Sequence, residues 1–138
     1  MNVFNEIFVS SRLREENEMM TQSVVTSDKG NLFELPENLS RSEEFIETIR
    51  SSESITIERI ISTGQSTSEG VWYDQEKDEW VALLQGNAVL EYADGSTVNL
   101  KSGDYLFLPA HRKHRVRFTS SEPACIWLAV HVKVDRVE

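Results

Sequence analysis

Cysteine and histidine are both scarce in this 138-residue chain, which holds one of the first and three of the second. A lone cysteine, Cys125, excludes an internal disulfide framework and any zinc site built on clustered cysteines, and it fits a reducing compartment. No apolar run approaches the ~20 residues that span a bilayer. The opening residues MNVFNEIFVS lack the basic start and long apolar stretch of a secretory signal. Positive charge is short too, with 14 Lys+Arg against 23 Asp+Glu and a net charge of −9. That balance argues against phosphate-backbone binding. A cytoplasmic protein is expected, with neither nucleic acid nor membrane as its partner.

What is present suffices for one domain. At 39% hydrophobic and 9% aromatic the chain can fill a core, and its length matches a single unit. The charge is divided: residues 1–79 carry a balance of −10 and residues 80–138 a balance of +1. Residues 1–30 read as a flexible extension. Val3, Phe4, Ile7 and Phe8 give it a short apolar face, and a frayed helix followed by a polar linker is expected. The single domain then runs over 31–138. Ser40-Arg41-Ser42-Glu43 matches the S-x-x-E capping box, with Phe45, Ile46 and Ile49 behind it at helical spacing. A short helix is therefore expected at about 41–50.

From Ser54 the period changes to two. Short apolar stretches alternate with turn signals, among them Gln85-Gly86-Asn87 and the hairpin marker Asp94-Gly95. Many short strands at this spacing predict a sandwich or closed barrel. In Glu79–Gln85 and Ala124–Val134 both alternation sets are largely apolar, so these strands are expected to be covered on both sides.

The chemistry rests on few residues. In a strand, His114 shares a face with Val116 and Phe118, while Arg115 and Arg117 take the other, so the imidazole points inward. His114 reads either as a satisfied core histidine or as a ligand or acid/base. His131 is in phase with Trp127 near a strand end, where a structural or rim role is expected, and Cys125 reads as a small buried hydrophobe. Arg112-Lys113-His114-Arg115-Val116-Arg117 reads as a solvated face, with Arg112 or Lys113 at a barrel mouth able to attract an anionic small molecule.

Two stretches carry a family resemblance. Gly103, Pro109 and His114 stand in the register of G-x5-P-x-G-x2-H-x3-N, with His111 at the second glycine and Phe118 at the asparagine. Glu79 and Gly86 match the second half of G-x5-H-x-H-x3-4-E-x6-G. Over roughly residues 55–134 the chain resembles the cupin superfamily, small jelly-roll barrels. The resemblance implies an all-β fold, a cupin-type jelly-roll β-barrel with a short N-terminal helical segment. In cupins the two histidines and the glutamate of the first motif, with the histidine of the second, hold one divalent metal inside the barrel. Here the histidine pair is replaced, by Tyr73 and Gln75 with the shorter spacer or by Trp72 and Asp74 with the longer one. Only Glu79 and His114 transfer directly.

Two ligands are too few for a tight site. Asp74 is the best replacement, and His111, three residues before His114, is a further candidate. Asp74, Glu79, His111 and His114 would together suit Zn, Fe(II) or Mn. The competing arrangement is a polar cluster of Tyr73, Gln75, Glu79 and His114 lining a metal-free pocket, where Glu79 and His114 form an acid/base pair. Three functions follow: a metal-dependent cupin acting on or binding a small polar or anionic metabolite, a metal-free ligand-binding or sensing module, and a dimerisation module. A homodimer is expected under each.

Overall fold

The computed structural model describes residues 21–133 of the chain. The frayed helix expected near the N-terminus lies outside these residues. Nine strands follow in order: β1 Thr21–Val24, β2 Phe45–Ser51, β3 Ile55–Ser62, β4 Asp78–Gln85, β5 Asn87–Tyr92, β6 Thr97–Lys101, β7 Tyr105–Leu108, β8 His114–Thr119 and β9 Cys125–Val132. They form a six-stranded sheet in the order β1-β2-β3-β9-β4-β7 and a three-stranded sheet in the order β6-β5-β8. Period-two alternation turns one face of each sheet inward. Ile60, Val81, Leu83, Trp127 and Ala129 of the large sheet thus share one core with Ala88, Leu90, Leu100 and Val116 of the small one. The result is an all-β jelly roll.

The helix expected over residues 41–50 is a strand. β2 pairs antiparallel with β3, and the register shifts between Thr48 and Arg50, which leaves Ile49 as an extra, bulged residue. A strand with a bulge at Ile49 uses the same apolar set, Phe45, Ile46 and Ile49, that reads as helical spacing. The Ser40 hydroxyl accepts a hydrogen bond from Ser42 N at 3.2 Å, a local turn in place of a helix cap. The stretch expected as a flexible linker also contributes a strand, since β1 pairs in parallel with β2.

A second bulge corrects the reading of β8. Leu90 pairs with Val116 but Val89 pairs with Phe118, so Arg117 is the extra residue. Beyond it the parity reverses: Phe118 is half exposed and Thr119 buried. His114 and Val116 keep their inward direction.

Segment 32–39 closes one end of the large sheet's outer face. Arg59, nearly buried, donates Nε to Glu47 at 3.0 Å and a terminal nitrogen to the carbonyls of Leu32 and Glu34 at 3.1 and 2.5 Å. Leu39, Phe45 and Leu84 pack over Ile61, Ala124 and Ile126 there.

Candidate functional site

The inner faces collect polar side chains that a core excludes unless they are paired or used. Glu44, Glu58, Glu79, His114 and His131 are all buried. The alternation that buries Leu83 and Val81 carries Glu79 inward at the start of β4, and the alternation of Trp127 and Ala129 carries His131 inward at the end of β9. These two residues face each other across the β4–β9 ladder. His131 Nε2 donates to Glu58 Oε1 at 3.2 Å. At the other end of the barrel the Trp127 indole donates to Ser62, whose hydroxyl donates to Glu44.

His114 joins Glu79 at the same end. Its strand neighbour is Tyr92, and the turn before it is tied to the start of β4 by the bond from Ala110 N to Asp78 Oδ1, 2.8 Å. Tyr73 pairs with His114 through both backbone bonds, and their rings lie 5.4 Å apart. His114 Nδ1 donates to the carbonyl of Arg112 at 2.8 Å. Burial pushes its pKa down to about 4, the Arg112 carbonyl opposing only part of that effect. At neutral pH the ring is therefore uncharged, with Nδ1 protonated and Nε2 the basic nitrogen.

The shorter spacer is the one realised. Tyr73 is buried and the buried Gln75 Nε2 has no hydrogen-bond partner, whereas Asp74 lies outside. Alternation explains the separation, because Tyr73 and Gln75 share one side and Asp74 takes the opposite one. Asp74 and His111 are brought together, but at the surface and with each other: His111 Nδ1 donates to Asp74 Oδ1 at 2.6 Å, with both side chains largely exposed. His111 adopts a left-handed backbone, φ 65°, and its N–H is held by the Gln75 carbonyl at 2.7 Å. The expectation that these two complete a metal set with Glu79 and His114 is not met. Among the described residues no group of three or more His, Cys, Asp or Glu side chains is arranged to hold a metal ion. The donor set does not fit the divalent ion that the motif implies.

Glu58 and His131 were not among the expected site residues. The signal for Glu58 is the adjacent pair Ile60-Ile61, which marks β3 as buried on both faces and puts Glu58 on the inner side with Ile60. Around the mouth, the Arg112 guanidinium lies 3.8 Å over the Tyr92 ring. Arg115 points away, toward Trp72 and Glu91. A cavity of about 450 Å³ opens at the far end of β4, lined by Leu35, Leu39, Arg41, Gln85 and Pro123 among others. It contains none of the residues above, and the chemistry argues for the other end.

Residues 60–131 match the Cupin domain family. The chain is a cupin. Among solved structures it is similar to a candidate mannose-6-phosphate isomerase from Ralstonia eutropha JMP134, at 37% identity over 78% of this chain and 100% of that one, TM-score 0.71. It is similar in fold to a cupin superfamily protein of Desulfitobacterium hafniense DCB-2, at 20% identity over 80% and 95%, TM-score 0.61. It is likewise similar to the cupin domain of Schizosaccharomyces pombe Cnp3, at 11% identity over 70% and 66%, TM-score 0.58. No curated protein sequence matches it. Among the described residues no helix is long and apolar enough to cross a membrane.

Proposed function

We propose that this cupin binds a small hydroxylated anionic metabolite, of the phosphosugar class, at the Glu79–His114 end of its barrel, and does so without a tightly held metal. One observation carries the reading. A buried carboxylate and a buried neutral imidazole stand on the inner faces of opposite sheets at one end of the barrel. His114 Nε2 accepts a proton or hydrogen bond from a hydroxyl, while Glu79 offers a second acceptor. Gln75 Nε2 supplies a buried donor, and Arg112 and Lys113 at the mouth favour an anionic substituent. The phosphosugar class comes from the name of the Ralstonia relative.

Calorimetric titration with mannose 6-phosphate, with mannose and inorganic phosphate as controls, tests the reading. Saturable binding is expected, weakened at least ~10-fold by Glu79→Gln and by His114→Gln, as each removes a buried polar contact. Absence of binding, or binding indifferent to both substitutions, rejects it. Elemental analysis after gentle purification is expected to find metal well below one equivalent. A full equivalent of Zn, Fe or Mn lost with Glu79→Gln would reinstate a metal centre.

A further inference from the structure

We propose that the cavity at the far end of β4 is a second binding site, separate from the barrel interior, for a small zwitterion with an apolar body, such as an aliphatic amino acid. Its volume of about 450 Å³ lies in the range of small-molecule sites, which are mostly apolar with a few placed polar groups. Leu35, Leu39, Pro123 and Ala124 form the apolar part, continuous with the outer cluster of Ile61 and Ile126. Leu35 remains 42% exposed, so an apolar ligand here would remove it from water. A bulge supplies the polar wall. Leu83 pairs with Trp127 but Gln85 with Ile126, so Leu84 is the extra residue and Gln85 follows Ile126 to the outer face. There Gln85 Nε2 donates to the Ala124 carbonyl at 3.0 Å. The Arg41 carbonyl accepts from Thr63 Oγ1 at 3.3 Å and Gln65 Nε2 at 3.4 Å, and the Pro123 carbonyl from Ser120 Oγ at 2.7 Å. The backbone that carries the lining is thus pinned before any ligand arrives.

Charge selects the ligand. The lining holds one cation, Arg41, and one anion, Glu122, both exposed. Among the described residues neither forms an ion pair, with the other or with a third side chain. A guanidinium so placed takes a carboxylate through two parallel hydrogen bonds, and Glu122 takes an ammonium group. A simple anion would meet Glu122 and a chain of net charge −9. A zwitterion engages both side chains and carries no net charge to be repelled. Because Leu35 and Leu39 belong to segment 32–39, an occupied cavity also fastens that segment to the start of β9.

Titration of the full chain with leucine tests the proposal, followed by NMR or calorimetry. Isocaproate lacks the ammonium group, isoamylamine the carboxylate and glycine the apolar body. Saturable binding of leucine is expected, with each of the three ~5-fold or more weaker. Arg41→Gln is expected to weaken leucine and isocaproate ~5-fold and to spare isoamylamine. Glu122→Gln is expected to weaken leucine and isoamylamine and to spare isocaproate. Both positions are exposed, so circular dichroism stays unchanged. Leucine is also expected to slow nonspecific cleavage within residues 32–40 several-fold. No saturation by leucine, or leucine binding no tighter than either truncated analogue, overturns the proposal. Indifference to both substitutions overturns it as well, and so does binding that leaves cleavage unchanged. None of these readings depends on whether mannose 6-phosphate occupies the barrel.

Discussion

His114 couples the stability of the barrel to pH. In the unfolded chain an imidazole takes up its proton near pH 6.5; in the folded chain burial delays uptake to about pH 4. Between these values the unfolded state binds more protons, so this contribution is complete above about pH 6.5 and is lost as the pH falls toward 4. A shift of this size corresponds to on the order of 3 kcal/mol. Urea denaturation at pH 7 and pH 4.5 is expected to show the wild type losing ~2–3 kcal/mol more than His114→Gln, which lacks the titrating group. Equal losses would mean that the imidazole is solvated in the folded state. The inward direction of His114 was legible from its spacing to Val116. The pairing of His111 with Asp74 was not, because it depends on how the turn before His114 folds back onto residues 73–75.

At the scale of elements, two glycines in hairpins separate backbone strain from crowding. Gly86, between β4 and β5, has φ 97°, and a Cβ there would stand 2.8 Å from Cys125 Sγ and 3.0 Å from Cys125 Cα. Gly95, between β5 and β6, has φ 92° and open space around the same position. Both alanine substitutions bear the left-handed penalty of roughly 1–2 kcal/mol. Gly86→Ala must also displace a buried strand, so it is expected to cost ~2 kcal/mol more than Gly95→Ala. Chemical denaturation of the two variants measures the difference. Both turns were legible, since Gly86 and Asp94-Gly95 punctuate the pattern. The strand at 45–51 was hidden by its own bulge at Ile49, and the outward turn of Phe118 by the bulge at Arg117. A bulge changes parity without changing composition, and only the partner strand reveals it.

Across the whole molecule, Arg59 fastens the approach to the barrel onto its outer face. Arg59→Met keeps the apolar stem but removes the bonds to Glu47, Leu32 and Glu34. Cleavage within residues 32–40 by a nonspecific protease is expected to accelerate several-fold, with the core strands still protected. Unchanged cleavage would show that Leu39 and Phe45 hold the segment by packing alone. The barrel was legible as a whole because its strand rhythm and two half-motifs lie in sequence order. The burial of Glu58 beside His131 was less so, because 73 residues separate them and only the β3–β9 pairing brings them together.

The alternation at residues 73–75 also bears on how such barrels diverge. Tyr73 and Gln75 occupy the places of the motif's histidine pair while Glu79 and His114 keep theirs, so two codon changes of residue type separate this interior from a four-donor set. Main-chain bonds tie both positions to the 111–114 turn, Tyr73 to His114 and Gln75 to His111, and these bonds do not depend on the side chains, although the Tyr73 ring also packs 5.4 Å from the His114 ring. The backbone of residues 73–75 is thus held against the turn whichever side chains stand at 73 and 75, so those side chains can change without the scaffold refolding.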